Sequence, residues 1–388
     1  MRILHVSDAY LPKQGGIEVQ VDDLARRQIE AGHDVAILTC APDVAGRRPP
    51  PGRGRPVETL GDGGARVLRV GLPWLSLPRA IRQVHAALRH QRPDVVHVHL
   101  SVWSPLSILA VKAAVRQGLP VAVTLHSLWW YATPLYGAGH VLLRWGRWPV
   151  AWTAVSELAA RPLHRFVGPR GEISLLPNGI EPRDWSAPPL PRDDRDVVVA
   201  SVLRLAARKR PVALLRMIRR ARRQLPGGVR LRVVLVGEGP LRGRLERLIR
   251  RHRLADCVEL AGRMDRSGIR DLYRRADVYI APATMESFGI AALEARCAGL
   301  PVLARRRTGI ADFVEDGVDG RLAEDDLGLA RALAEVVGSP QVRRRMAEHN
   351  RANPPETGWD DVLQRCELAY KIAAELALPA PRSLAVAG

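Results

Sequence analysis

Lysine is almost missing from this chain. Four of its 59 basic residues are lysine (Lys13, Lys112, Lys209 and Lys371), and the rest are arginine. The formal net charge of +19 is therefore an arginine bias spread over amphipathic segments, not a basic tail. A charge of this size favours polyanionic partners: nucleic acid, anionic lipid or phosphorylated substrates. No RNP-type aromatic run or zinc-finger spacing accompanies it, so nucleic acid is not expected as a partner. Cysteine is scarce as well. Cys40, Cys257, Cys297 and Cys366 lie far apart, with no CxxC pair or Cys/His cluster. That spacing speaks against a structural zinc site and predicts four reduced thiols. Long apolar runs are also missing. The longest candidate, LSVWSPLSILAV, stops at Lys112, short of a membrane span. The opening MRILHVSD meets Asp8 at once, without the longer apolar region of a secretory signal, so a cytoplasmic protein is expected.

What is present is alternation. The chain has 388 residues, 47% of them hydrophobic, enough for two domains with separate cores. RILHVSD reads as a buried strand. GIEVQVDDLARRQIEAGH follows with helical spacing, placing Val21, Leu24, Ala25, Gln28 and Ile29 on one stripe. DVAILT is a second strand, completing a β-α-β unit of a parallel sheet. The Pro/Gly/Arg-rich stretch APDVAGRRPPPGRGRPVETLGDGG interrupts as a surface loop. The alternation resumes and runs to EISLLPNGI. The polar, proline-rich EPRDWSAPPLPRDDRD is the best inter-domain linker. A second alternation begins at DVVVASVLRL and closes near PVLAR. The expected fold is α/β, with two doubly wound Rossmann-like domains facing a central cleft. Their expected spans are 1–185 and 197–358, joined by a linker at 186–196.

In open α/β sheets, ligands bind beyond the carboxyl ends of the strands. Four segments would fall there. Gly15 and Gly16 separate the first strand from the first helix and would let backbone N–H groups approach a phosphate or sugar. Without a GxGxxG or GxxxxGK[ST] spacing, a plain tight loop is the commoner account of such a pair. Arg204 and Lys209 follow the first strand of the second half, where two cations suit a diphosphate. A solvated basic face is the other account. Gly237 opens the turn GEGP, read either as an approach to a nucleotide or as an ordinary βα turn. The fourth segment is ESFGIAALE, with Glu286 before a helix expected to start near Ser287 to Gly289. Glu294 lies about two turns further on. The open N–H groups of a helix start can bind phosphate or hydroxyls, and each glutamate can accept hydroxyl hydrogen bonds. A helix-capping Glu286 and a surface Glu294 would be the bland account.

The order of these pieces resembles the retaining GT-B glycosyltransferases of family four, over roughly residues 1 to 370. The most specific element is the E-x7-E pattern in ESFGIAALE, followed by AGLPVLA and TGIADFVEDGVDGRL. Supporting pieces are PDVVHVHL, TAVSE, LPNGIEPRDW, VLRLAARKRP, VGEGPLRGRLE, LAGRM and LYRRADVYIAP. The resemblance implies a nucleotide-sugar donor and transfer that retains anomeric configuration, with no metal or other cofactor. Arg204 and Lys209 would hold the diphosphate. Glu286 would contact the transferred sugar, with the N–H groups of Phe288, Gly289 and Ile290 nearby. Glu294 would bind the ribose hydroxyls. Gly262 and Arg263 would lie beside the base. Gly16 would face the phosphate or acceptor, and His126 would stand near the reacting sugar. A closing helix, 359–378, is expected against the first domain, ahead of a tail at 379–388. Three features depart from the family pattern: Ser287 and Leu203 stand where glycine is usual, and RRRTGI replaces a more common Gly-Gly-Ile/Val context. They bear on the donor sugar and on local backbone.

The acceptor is not named by any motif. Five of nine tryptophans (Trp129, Trp130, Trp145, Trp148 and Trp152) fall within residues 127 to 152, with Arg144 and Arg147 between them. They suit a membrane interface and a lipid-linked or amphipathic acceptor, with the protein peripheral on the inner membrane face. They equally suit a packed interior. Two other functions remain open on the sequence: a GT-B-like nucleotide-sugar epimerase or phosphorylase, and a polyanion-binding protein without catalysis.

Overall fold

A computed structural model of the chain describes residues 1–12, 15–47, 56–61, 63–71, 76–129, 133–167, 172–186, 188 and 195–377. It divides into two compact units. The first comprises residues 1–179 with 359–388, and the second residues 180–358. Residues 180–185, grouped with the first domain on the sequence, pack with the second unit. Most of the expected linker and the expected tail lie outside the described residues, as does most of PPPGRGRP.

The first unit runs β1 (Arg2–Ser7), α1 (Gly16–Glu30), β2 (Asp34–Thr39), β3 (Val57–Leu60), β4 (Arg66–Arg69), α2 (Leu77–Gln91), β5 (Val95–Leu100), α3 (Pro105–Arg116), β6 (Val121–Leu125), α4 (Thr133–Leu143), β7 (Ala151–Ala154), α5 (Glu157–Ala160), α6 (His164–Val167) and β8 (Ile173–Leu175). Its sheet has the order β3-β4-β2-β1-β5-β6-β7-β8. Every pair is parallel except β3 with β4. The strands β5 and β6 are buried at every position, as expected for strands covered on both faces. The α1 stripe is buried at Val21, Leu24, Ala25 and Gln28, and Glu18, Gln20 and Asp23 of the same helix are buried with it.

The second unit runs α7 (Pro182–Trp185), β9 (Asp196–Val202), α8 (Pro211–Arg222), β10 (Arg230–Val236), α9 (Arg242–Arg251), β11 (Val258–Gly262), α10 (Arg266–Arg275), β12 (Val278–Ile280), α11 (Ile290–Cys297), β13 (Val302–Arg305), β14 (Gly320–Ala323), α12 (Asp326–Gly338) and α13 (Pro340–Ala352). Its six strands are all parallel, in the order β11-β10-β9-β12-β13-β14. The order reverses at β9, which makes the carboxyl ends of β9 and β12 a topological switch point. The core is aliphatic: Val197 and Val199 of β9 pack with Leu214 and Ile218 of α8 and with Leu329 and Leu333 of α12.

The last helix, α14 (Trp359–Ala377), belongs to the first unit. It lies against β5, β6, β7 and α1. Trp359, Val362, Cys366, Ala369, Tyr370 and Ala373 recur at helical spacing and enter the first core. Gly179 sits beneath the Trp359 ring, and a Cβ there would collide with it. Gln20 of α1 holds the Gly179 peptide from both sides, accepting from its N–H and donating to its carbonyl at 3.0 Å each. The four cysteines are buried, and none is in a disulfide.

Trp359→Ala removes the largest ring of this contact. A chemical denaturation curve of the full chain should lose about 3–5 kcal/mol from the transition of the first unit. A loss under ~1 kcal/mol would mean that the site refills and that α14 is not anchored by this ring.

Candidate active site

Four loops leave the carboxyl edge of the second sheet beside the switch point. The loop after β9 carries Arg204, exposed, and Lys209, half-buried in a short 3-10 turn. Its path is set by the neighbouring loop. Leu203 donates to the Val236 carbonyl at 2.9 Å, and Leu205 to the Glu238 carbonyl at 3.0 Å. Gly237, at φ +132°, lies against the Leu203 carbonyl so closely that a Cβ would overlap it. Gly237 thus answers to its neighbour's backbone, which the two sequence accounts of GEGP did not include. At the end of β11, Gly262 has φ +75° and Arg263 is exposed.

The loop after β12 holds the E-x7-E pattern. The helix starts at Ile290, one residue later than the latest expected start, and Gly289 precedes it at φ +94°. The reason is steric: Gly289 lies against Ile310, and Gly309 lies against the Ser287 carbonyl, each without room for a Cβ. The Gly309 N–H donates to the Glu286 carbonyl at 2.9 Å, which locks the loop to the turn after β13. Glu286 does not cap the helix. Its carboxylate takes the Lys209 ammonium, which ties the loop after β9 to the loop after β12. Phe288 is buried against Phe313, their ring centroids 5.4 Å apart, so the loop is anchored by an aromatic side chain. The N–H groups of Phe288, Gly289 and Ile290 make no hydrogen bond among the described residues, as a helix start leaves them open.

Glu294 is not a surface residue; 9% of it is exposed. It lies among the phenols of Tyr273 and Tyr279, whose ionisation is pushed up first by burial and further by nearby negative groups, Glu294 among them. Tyr273 donates to the Ala291 carbonyl at 3.0 Å and so holds the first turn of α11. The sequence reading missed a second brace. Arg210 donates to both oxygens of Asp326, at 2.9 and 2.7 Å, and Arg305 donates to the same carboxylate at 2.5 Å. The Arg210 hydrogen bonds hold Asp326 below the usual carboxylate range. Arg210 also reaches the Pro282 carbonyl at 3.3 Å, so this fork fastens the β12 loop at its other end. Nothing local in RRRTGI or EDD announces the pairing.

Arg204, Lys209, Gly237, Gly262, Arg263, Glu286, Phe288, Gly289, Ile290 and Glu294 are thus gathered on one edge of one sheet. Cations and open N–H groups stand beside a half-buried and a buried carboxylate there, a combination that can hold an anion and a set of hydroxyls together.

Gly15, Gly16 and His126 lie in the first unit. Gly15 and Gly16 are at the amino end of α1, and Gly15 packs against the Glu18 carboxylate. His126 follows β6 and belongs to a buried set that the sequence reading did not assemble. His126 Nε2 meets His99 Nδ1 at 2.9 Å, and His99 Nε2 meets His5 Nδ1 at 2.9 Å. His5 Nε2 meets Gln28 Oε1 at 2.6 Å. The Gln28 amide donates to the Tyr370 hydroxyl at 2.9 Å, and that oxygen meets His97 Nδ1 at 2.9 Å. Burial lowers every one of these imidazoles, to about 4 for His5 and His126 and well below the usual range for His97 and His99. Ligand atoms of His5, His97 and His99 lie within 4.8 Å of one another. All six of their ring nitrogens already have hydrogen-bond partners. Those bonds would have to break before the three rings could ligate a metal together. One signal was available: HVH in β5 puts two histidines on one face of a strand.

The tryptophan-rich segment is mostly interior. Trp129, Trp145 and Trp152 are buried and meet edge to face, with centroids 5.9 and 5.4 Å apart along the series. Trp148 is half-buried, and Trp130 lies outside the described residues. The exposed apolar side chains are instead Val141 and Leu142 at the end of α4, 76% and 81% exposed, with Leu143 beside them. Arg144 and Arg147 follow, both exposed.

Family comparison agrees with this geometry. Residues 183–353 match the model described as glycosyl transferases group 1, and residues 14–184 match the glycosyltransferase family 4 model. The D-inositol 3-phosphate glycosyltransferase of Xylanimonas cellulosilytica is 30% identical over 387 residues, covering 89% of each chain. The phosphatidyl-myo-inositol mannosyltransferase of Mycolicibacterium smegmatis is 29% identical, covering 88% of this chain and 86% of its own. Among solved structures, Anabaena Alr3699/HepE in complex with UDP and glucose superposes with a TM-score of 0.74 at 19% identity, over 96% of this chain and 99% of that one. That likeness carries the fold alone, which is GT-B. With both halves matched and a 30% identical relative covered nearly end to end, the chain belongs to the group 1 glycosyltransferases.

Proposed function

We propose that the protein transfers a sugar from a nucleoside diphosphate donor with retention of configuration and without a metal. The observation that carries the reading is the Lys209–Glu286 ion pair at the switch point, set beside exposed Arg204 and the open start of α11. In this reading the diphosphate takes the place between Arg204, Lys209 and the N–H groups of Phe288 to Ile290. Departure of the diphosphate develops negative charge, and fixed cations and N–H dipoles offset it as it forms. Glu286 accepts from hydroxyls of the transferred sugar, and its bond to Lys209 fixes where its second oxygen points. Glu294 accepts from the ribose diol. Gly262 and Arg263 flank the base, and Gly237 keeps the intervening loop low. In the first unit, the main-chain N–H groups at Gly15 and Gly16 are suited to a phosphate or a sugar hydroxyl, and His126 is suited to accept from a hydroxyl. UDP in the Anabaena structure and the sugar-transferring relatives support a nucleotide-sugar donor.

The names of the two relatives share an inositol that bears phosphate, in one of them as part of a phosphatidyl lipid. We read the acceptor here as lipid-borne too, because Val141, Leu142 and Leu143 are exposed next to two arginines. Apolar side chains that enter a lipid surface and cations that meet its phosphates are the elements of peripheral binding. Among the described residues, no helix is long and apolar enough to cross a membrane.

Calorimetry with a panel of nucleotide-sugars identifies the donor and tests Glu294. Glu294→Ala should weaken the best donor by about 1.5–3 kcal/mol, the worth of hydrogen bonds to a charged acceptor. Unchanged affinity in a folded variant would remove Glu294 from the ribose.

Arg204→Ala and Lys209→Ala should each lower kcat/KM by roughly a hundredfold or more, since both act where charge develops. EDTA should leave the wild-type rate unchanged. Loss of activity in EDTA, restored by Mg²⁺ or Mn²⁺, would overturn the metal-free reading.

Sedimentation with vesicles tests the surface. The protein should bind vesicles containing phosphatidylinositol and not neutral ones, and salt should weaken the binding. Val141→Ser with Leu142→Ser should abolish it, whereas Trp145 is interior and is not part of the surface. Failure to bind anionic vesicles at low salt would point to a soluble acceptor.

A further inference from the structure

The buried hydrogen-bond chain of the first unit has a direction, and chemistry decides it from one end. The Val123 carbonyl can only accept, so Thr153, which reaches it at 3.2 Å, commits its hydroxyl proton there. Thr124, 2.6 Å from Thr153, must then donate to it. Thr124 has no second proton, so at 2.7 Å it accepts from His97 Nε2–H. A neutral ring carries one proton, which leaves His97 Nδ1 as an acceptor for the Tyr370 hydroxyl. The Tyr370 proton is then committed, so its oxygen accepts from Gln28. That settles the Gln28 amide: its NH2 faces Tyr370 and its oxygen faces His5. His5 therefore donates from Nε2 and accepts at Nδ1 from His99 Nε2–H. His99 in turn accepts at Nδ1 from His126 Nε2–H. The opposite direction would give up the Thr153 bond to the Val123 carbonyl and turn the Gln28 amide over, and burial of the rings favours their neutral forms.

We propose that the chain from Thr153 to His99 is a positioning device which holds His126 as the Nε2–H tautomer, leaving Nδ1 as a pure acceptor. Among the described residues Nδ1 has no partner. His126 is also the one ring of the four that is not fully covered, and it borders a cavity of about 20 Å³ shared with Gln20 and Asn178. A lone pair on Nδ1 takes a hydrogen bond from a hydroxyl and offers none to a phosphate. It therefore suits a sugar hydroxyl and not an unprotonated phosphate. The inference rests on the reading of His126 as a sugar contact only for this last consequence. The tautomer itself is independent of any substrate. Gln28, His5 and His99 act through His126 and are positioning residues, not catalytic ones. Tyr370 brings α14 into the same role, 342 positions along the chain from Gln28.

The test is nitrogen NMR of the full chain with ¹⁵N-labelled histidine at neutral pH, without substrate. The chain has 11 histidines. Single His→Gln variants assign the four rings. All four should show a pyrrole-type Nε2 and a pyridine-type Nδ1. A His126 ring found as the Nδ1–H tautomer, or doubly protonated, overturns the proposal in the unmodified protein. Gln28→Leu and Tyr370→Phe then break the chain at a distance from His126. Each should turn its single tautomer into a mixture. A His126 spectrum unchanged in both folded variants would also overturn the proposal. Turnover of UDP-glucose plays no part in the measurement, so an inactive enzyme with the expected tautomers would count against the donor reading and not against this one.

Discussion

Where the strand order turns back at β9, loops leave neighbouring strands in opposite directions and cannot fill the edge between them. That gap is the constraint on which the second unit depends. It must be kept open, yet its walls must not move. The structure meets both demands with backbone packed on backbone. Gly237 rests on the Leu203 carbonyl, and Gly309 rests on the Ser287 carbonyl, at separations that no side chain would permit. Ion pairs then cross the gap at two places, Lys209 with Glu286 and Arg210 with Asp326. Both pairs are partly covered, where a charge-assisted bond keeps more of its strength than at an open surface. Local main-chain sterics thus hold the geometry, and electrostatics set what the gap attracts.

The first unit solves a different problem. Four imidazoles inside a parallel sheet destabilise it unless every polar atom is satisfied. They are tolerated because the rings bond to one another and to Gln28, Thr124 and the Tyr370 hydroxyl, which leaves only His126 Nδ1, at the edge of the set, without a partner among the described residues. The last helix contributes Tyr370 to that chain and Trp359 to the apolar core around it. The helix that finishes the core is therefore also the helix that completes the polar network.

Much of the second site could be read in the sequence because its parts are neighbours along the chain. Glu286, the Phe-Gly-Ile turn and Glu294 are spaced by one loop and two helical turns. Arg204 and Lys209 sit in the first loop of their alternation. The burial of Glu294 was not legible, since it depends on Tyr273 and Tyr279 arriving from α10 and β12. Nor was the partner of Glu286, which is Lys209 and not the start of α11. The tryptophans show the same limit. Their clustering between residues 127 and 152 was visible, but whether the rings face lipid or one another depends on how β6 and β7 pair.

The sequence alone determined the alternation of strand and helix and the two sheets, because hydrophobic period and loop chemistry are local properties of the chain, and its motifs carried the family resemblance. It also determined which residue types stand at each strand end. Only the tertiary structure decided which of them meet. His5, Gln28, His99, His126 and Tyr370 are ordinary polar residues at scattered positions, and no period links them. They become one hydrogen-bond chain because parallel pairing sets β1 beside β5 and β5 beside β6, and α14 returns to cover them. A hydrogen bond is fixed by separation and angle in space, and those are set only once the strands have chosen their neighbours.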